Sequence, residues 1–204
     1  MPVQVSIRVA TSALLVHDVV NDFLDPAGPE PDPGLDAMLA NLRALLAAAR
    51  QAGLGVFFAA PGPGDPAIAP RPRGAGAPAR LVWGTPGVDV PSDLGPLPGE
   101  QVVRKPRYGG FFGSELAAHL RATGRDTLIV CGLSLAGGVE TTVRDAHNHD
   151  LQTVVVEDAC LIRAIPDQGW GAVSRDEVRK VVLSVLAQRF ARVATTREVC
   201  AELG

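Results

Sequence analysis

An α/β fold is predicted, a three-layer α/β/α arrangement with a mostly parallel, roughly six-stranded sheet. Three observations carry this. Short apolar runs alternate along the chain with segments of helical periodicity. The runs are continuously apolar, as in strands buried on both faces. Between 125 and 147 one such run meets Gly132, a small-residue turn and then a helical stretch. That order places helix N–H groups at the carboxyl edge of the sheet, where open α/β folds hold their ligands.

Each element follows from its residues. The run 13–17 is the first strand, ending at Asp18, and 19–33 is a loop rich in Asp, Pro and Gly. Leu35, Met38, Leu39, Leu42, Leu45, Leu46 and Ala49 share one helical face, and Gly53 stops that helix. Residues 55–60 form the second strand. The stretch 61–98 holds most of the prolines and is expected to be irregular, a connection of the length used for lids and binding loops. Trp83 is its expected anchor. Residues 101–105 are the third strand, and Ser114 is placed to cap a helix over 115–123 that Gly124 closes. The strand 127–131 feeds the helix 139–147, and 153–157 is a fifth strand. A loop with Trp170 leads to a helix carrying Val178, Val181, Val182, Val185 and Leu186 on its core face. A short strand over 191–195 and a helix over 197–203 close a single domain, 1–204, with no internal repeat.

Composition narrows the function. With 47% apolar and 20% charged residues, disorder is excluded as a general state. A net charge of −3 offers no footprint for nucleic acid or an anionic membrane. No apolar run reaches membrane-spanning length, and the first residues lack a signal-peptide core. The three cysteines, Cys131, Cys160 and Cys200, have no metal-ligand spacing and read as reduced thiols of a cytoplasmic protein. No metal or other cofactor is expected, and the Gly137-Gly138 pair lacks the rest of a dinucleotide fingerprint.

Three features fall at the carboxyl ends of strands: Asp18, Lys105 and the turn ending at Gly138. An Asp after a strand is ordinarily a loop or cap residue, and a Lys at a strand end is ordinarily solvated. Brought to one crevice, a carboxylate, an ammonium and a helix N-terminus form an acid–base site suited to a small anionic substrate.

The sequence resembles the isochorismatase-like hydrolases. The resemblance rests on 14–18 with Asn21-Asp22-Phe23, on Trp83-Gly84-Thr85-Pro86-Gly87, and on Lys105-Pro106-Arg107-Tyr108-Gly109-Gly110-Phe111-Phe112. It continues through 124–128, 132–146 and 154–159, so it spans nearly the whole chain. The family implies a Rossmann-like fold, and in most members an amide hydrolase with an Asp, Lys and Cys triad. Asp18 and Lys105 match the first two, but Gly138 stands where the nucleophilic Cys would be. A thiol mechanism then has no thiol at the helix N-terminus.

The chain is more similar to the branch that also carries Gly there, the isochorismatases and the aminodeoxyisochorismate hydrolases of phenazine pathways. His17-Asp18, Arg107-Tyr108 and Phe111-Phe112 carry that similarity. It implies acid-catalysed cleavage of an enol-pyruvyl ether in specialised biosynthesis, with Asp18 as general acid and Lys105 as its partner. The resemblance groups Gly138, Phe23, Trp83, Tyr108, Ser134 and Leu135 around the substrate. Such chemistry needs a carboxyl that holds its proton near neutrality, which burial favours and a neighbouring cation opposes. Lys105 is therefore read as positioning the carboxyl and receiving a substrate anion. The resemblance also implies a homodimer or homotetramer.

Three departures point to a substrate other than isochorismate. Ala60 replaces a Gln of that branch, Ser134-Leu135-Ala136 replaces Tyr-Ala-His, and Val20 replaces a Gln two residues after the acid. Each removes a hydrogen-bonding or aromatic group from the expected pocket. Two other readings stand beside this one: a different reaction on a natural-product intermediate, or a ligand-binding homologue without catalysis. His17 reads as a buried, hydrogen-bonded strand-end residue, Phe111 and Phe112 as core aromatics, and Tyr108 as either core or site. Trp83 reads as a lid hinge or a substrate wall, and His147 and His149 as cations suited to a helix end.

Overall fold

The computed structural model describes residues 2–25, 34–63 and 81–204. Its strands are β1 (Ser12–His17), β2 (Gly55–Pro61), β3 (Gln101–Lys105), β4 (Thr127–Gly132), β5 (Gln152–Cys160) and β6 (Arg192–Ala194). They form one six-stranded sheet in the order β3-β2-β1-β4-β5-β6. Every neighbouring pair is parallel. The helices are α1 (Asn21–Leu24), α2 (Leu35–Gln51), α3 (Leu116–Ala122), α4 (Glu140–Asn148), α5 (Arg175–Arg189) and α6 (Thr196–Leu203).

Successive strand side chains point to opposite faces, and every residue of β1 and of β4 is buried. Both faces of the central sheet are therefore covered, which is why these strands are uninterrupted apolar runs. On one side α2 and α6 pack on each other and on β5; on the other α4 and α5 pack together beneath β5 and β6. Fully buried Leu42, Leu45 and Leu46 belong to the face of α2 that packs on the sheet, against β2, β4 and β5.

The structure departs from expectation at several elements. Within 61–98, Pro61 belongs to β2 and Pro86–Val88 is a single tight turn, while 64–80 lies outside the described residues. The loop 19–33 contains α1, and its residues 26–33 also lie outside. The helix expected from Glu115 begins one residue later, at Leu116, with Glu115 in the cap position. Ser114 still serves its first turn, its hydroxyl accepting from the Leu116 N–H (3.3 Å) and donating to the Gly110 carbonyl (2.5 Å). The helix expected from Val139 begins at Glu140, because Leu135–Val139 makes a widened turn closed by the Val139 N–H donating to the Ser134 carbonyl (3.2 Å). β5 runs on to Cys160, past two charged residues that find partners outside the sheet. Glu157 pairs with Arg179 (2.7 Å), and Asp158 accepts from the N–H and hydroxyl of Thr196 (2.7 and 2.8 Å).

On α5 only Val178 and Leu186 are buried; Val181 is 60% exposed and Val185 is exposed as well. α5 lies over the sheet margin formed by the three-residue β6, so Val181 and Val185 have no layer to meet, while Val182 still packs on the core. Phe112 is likewise exposed rather than core, whereas Phe111 is buried and stacked on His149 at 4.8 Å between ring centroids.

Candidate active site

The site forms where β1, β3 and β4 end. β1 is the centre of the sheet, flanked by β2 and β4. At its end Asp18 takes a left-handed conformation (φ 52°), which Asp tolerates better than most residues. The Asp18 N–H donates to the Ala59 carbonyl (2.8 Å). This twist turns the carboxylate back toward the side of the preceding His17 ring, so that His17 Nδ1 and Asp18 Oδ2 are 3.5 Å apart.

Lys105 is the last residue of β3 and buried. β2 lies between β3 and β1, its last residue Pro61 paired with Lys105 and preceded by the small residues Ala59 and Ala60, so the lysine reaches past the end of β2 to Asp18. Its ammonium donates to Asp18 Oδ2 (2.8 Å) and to the Arg107 carbonyl (3.0 Å). Asp18 is 9% exposed, and among the described residues its other oxygen, Oδ1, has no hydrogen-bond partner. One carboxylate oxygen is thus fixed, and the other is buried with its hydrogen-bonding capacity unused among the described residues.

His17 is fully buried. Its Nδ1 lies 2.9 Å from the Leu133 carbonyl and its Nε2 3.0 Å from the Tyr108 carbonyl. Burial pushes its pKa below the ordinary histidine value; Asp18 pulls it up and Lys105 pushes it further down. In the neutral form the ring can donate to one of the two carbonyls.

Two glycines set the floor. Gly132 has φ 115°, and a Cβ there would lie 2.1 Å from the His17 carbonyl oxygen. The backbones of β1 and β4 converge at this point, where the Leu133 N–H donates to that same oxygen (2.8 Å). At Gly138 a Cβ would stand 2.1 Å from Cε1 of the His17 ring. The Thr142 hydroxyl donates to the Gly138 carbonyl (2.6 Å) and accepts from the Gly110 N–H (2.9 Å), joining α4 to the loop after β3.

The rim is aromatic. Tyr108 and Phe112 are 66% and 65% exposed. Trp83 lies over the Arg104 guanidinium, 5.1 Å from its ring centroid, and Arg104 donates to the Val88 carbonyl (2.6 Å) and Asp89 (2.9 Å). Asn21 donates to the Pro86 carbonyl (2.8 Å), and Asp22 accepts from the Leu81 N–H. Together these pin the Trp83 segment on α1. Phe23 is half-buried there against the core. Ser134 begins the widened turn, after a cis peptide bond with Leu133, and Leu135 is fully buried, its N–H donating to the Leu161 carbonyl (2.8 Å).

Asp18 and Lys105 therefore meet directly and Gly138 joins them through His17. Tyr108 is tied in by its backbone, and Ser134 borders the floor. Phe23 and Trp83 belong to the rim, and Leu135 to the core beneath the turn. Residue spacing missed Thr142 as the tie between floor and rim, and nothing in the spacing of β1 and β4 signals that His17 meets Gly138. A polar ring closing an otherwise apolar strand was the available clue.

Two of the thiols are fully buried, away from solvent. Burial pushes Cys131 well above the usual thiol range and Cys160 up to about 12. Cys200 lies on α6 and is also raised by burial. A cavity of 190 Å³ lined by Phe57, Gln101, His119 and Arg125 lies at the amino-terminal ends of β2 and β3, the sheet edge away from Asp18. Arg125 is engaged there, donating to the carbonyls of Val9, Ala10 and Ser12 (2.8, 3.1 and 2.9 Å). Among the described residues no group of His, Cys, Asp and Glu is arranged to hold a metal ion, and no helix is long and apolar enough to cross a membrane.

Residues 12–198 match the isochorismatase domain. The chain belongs to the isochorismatase family. It is 33% identical over 195 residues to the phenazine biosynthesis protein PhzD of Pseudomonas fluorescens, covering 92% of this chain and 84% of that protein. It is also 33% identical over 182 residues to the ureidoacrylate amidohydrolase RutB of Variovorax paradoxus, covering 78% of this chain and 71% of that one. A cysteine hydrolase structure from Pseudomonas syringae pv. phaseolicola superposes with a TM-score of 0.86 at 29% identity, covering 100% of this chain and 97% of that one. The chain is an isochorismatase-like hydrolase with the family's six-stranded parallel fold. Its isochorismatase-family relatives are named for different chemistries, so membership alone leaves the cleaved bond open.

Proposed function

We propose that this isochorismatase-like hydrolase cleaves a vinyl ether in a small anionic substrate of specialised biosynthesis, by acid catalysis and without a covalent intermediate. The observation that carries the reading is the Asp18 carboxyl, which has Oδ2 held by Lys105 at 2.8 Å and a buried Oδ1 with no partner among the described residues. A neutral carboxylic acid keeps an acceptor oxygen, so Oδ2 can stay on Lys105 while Oδ1 carries the proton. Oδ1 gives that proton to the methylene carbon of the enol ether. Water adds to the resulting oxocarbenium carbon and returns a proton to Asp18. The hemiketal then collapses to a ketone, pyruvate where the ether is enol-pyruvyl, and an alcohol.

Gly138 supports this over amide hydrolysis through a thiol, since the volume at its Cβ is taken by the His17 ring. The buried thiols support it too, because Cys131 and Cys160 are both held in the protonated, weakly nucleophilic form. The buried Lys105 ammonium gives a substrate carboxylate an opposite charge to meet. Ala60, Val20 and the Ser134-Leu135-Ala136 turn leave fewer polar contacts than isochorismate cleavage in the resembling branch implies, which favours a related but different acid.

Coupled detection of pyruvate released from isochorismate and aminodeoxyisochorismate tests the reaction. Asp18→Asn keeps a residue that tolerates the left-handed backbone, so the fold is expected to persist while kcat falls by about 10²–10⁴. Release that survives the substitution would remove Asp18 as the acid. No release from either compound by the folded wild type would move the search to other bonds.

A further inference from the structure

We infer that His17 is the residue that fixes this site as one without a nucleophile at position 138: its ring occupies the volume a side chain there requires and braces the carboxyl of Asp18. The inference deepens the acid-catalysis reading, which assigns Asp18 its role, but its central observation is steric.

The ring end, Cε1, lies 2.1 Å from where a Gly138 Cβ would be, far inside contact distance. Neither partner can easily yield. The ring is fully buried between the Leu133 carbonyl, 2.9 Å from Nδ1, and the Tyr108 carbonyl, 3.0 Å from Nε2, and in its neutral form donates to one of them. Rotation about its side-chain bonds would break that hydrogen bond inside a filled space. Gly138 is held in turn by the Thr142 hydroxyl on its carbonyl (2.6 Å), and the turn around it is closed by the Val139 N–H on Ser134. Positions 17 and 138 are therefore one steric unit. A thiol-bearing residue at 138 requires a smaller residue at 17, and a histidine at 17 requires glycine at 138.

The same ring has a second effect. It spans the end of β4 and the loop after β3, and its Nδ1 is 3.5 Å from Asp18 Oδ2. It thus limits how far the carboxyl can turn away from Lys105. His17 acts through Asp18 and the two loops, as a positioning residue, and need not touch the substrate.

The test is a cycle of Gly138→Ala, His17→Val and the pair, read first by thermal unfolding. Valine suits a strand end and does not reach the ring's outer edge. Gly138→Ala alone is expected to lower Tm by about 5 °C or more, as overpacking does. In the His17→Val background the same change should cost little, so the pair is more stable than the sum predicts. Additive losses, or a Gly138→Ala protein as stable as wild type, would overturn the inference. The second measurement is alkylation: in H17V/G138C iodoacetamide should label position 138, located by mass spectrometry, because removing the ring opens the space beside a thiol in the turn just before α4. A fully folded pair that is inert at 138 would count against the shared volume.

Kinetics separate positioning from packing. His17→Val is expected to lower kcat about tenfold or more with KM little changed, and Gly138→Ala should restore packing in that background without restoring kcat. Unchanged kcat in folded His17→Val would remove the positioning role. Coupled stabilities without pyruvate release from wild type would sink the ether reading and leave this inference standing. Release with additive stabilities would do the reverse.

Discussion

The floor and the rim of the site are built on opposite plans. On the floor, Gly132 and Gly138 approach the His17 carbonyl and ring so closely that a Cβ at either would lie 2.1 Å from them. The rim is made of side chains the protein leaves in water, Tyr108 and Phe112 two-thirds exposed and Trp83 resting on a guanidinium. Packing thus dictates the residues around the Asp18 carboxyl, while Tyr108 and Phe112 are under little internal constraint. On the proposed reading, reaction type and substrate choice can then change separately, the first through the floor and the second through the rim.

The comparison is broken most severely at Gly132. Gly132→Ala adds a Cβ against the His17 carbonyl and places alanine at φ 115°, and both effects destabilise. The expected loss is about 3–5 kcal/mol, measurable by denaturant unfolding; a loss below about 1 kcal/mol would show that β1 and β4 can separate at little cost.

Away from the site, at the amino-terminal edge of the sheet, lies the segment that leads into β3. Arg50 on α2 holds Glu100 through two hydrogen bonds (2.7 and 2.9 Å), and the Leu97 N–H adds a third (2.7 Å). Burial alone would raise the Glu100 pKa, but Arg50 and the Leu97 N–H outweigh it and hold it below the usual range. A depressed carboxyl stabilises the fold above its unfolded value, and that contribution is lost as pH falls through the folded one. Glu100→Gln should therefore lower Tm by about 2–6 °C at pH 7, with the difference closing below about pH 4. A gap that persists in acid would mean that shape rather than charge holds the segment.

The smallest effect is expected at the rim. Tyr108→Ala and Phe112→Ala should each raise KM about three- to tenfold, the loss of a partly covered aromatic face, with Tm and kcat nearly unchanged. Tyr108 contributes its carbonyl to His17, and alanine keeps that group. A fall in kcat at constant KM would move these residues from the rim to the floor.

The fold was readable because its signals are local. The buried runs of β1, β2 and β4, the stripe of α2 and the stops at Gly53 and Gly124 all lie within a few residues of what they specify. The carboxyl-edge placement of Asp18, Lys105 and Gly138 followed from the same strand ends. What escaped depends on neighbours distant in sequence. Val181 and Val185 have the spacing of a core face, but whether a layer lies over them depends on where the sheet stops. Glu157 and Asp158 near the end of β5 are charged, and they stay in the strand because Arg179 and Thr196 receive them. The meeting of His17 with Gly138 rests on the β1–β4 register, which pairs His17 with Gly132. The capping boxes of Ser174 with Glu177 and of Thr195 with Glu198 were present in the sequence, and they set the starts of α5 and α6.

The strand order has a consequence for how the chain comes into being. β1 is flanked by β2, which follows soon after it, and by β4, which follows only after β3 and α3. During synthesis from the amino terminus Asp18 and Lys105 emerge first, beside an apolar edge that has no neighbour. A nascent chain at that stage carries the pair without the wall that encloses it, and offers an open template for unwanted pairing. The arrival of β4 covers that edge and brings Gly132 against His17, so the open template and the open site are closed in the same event.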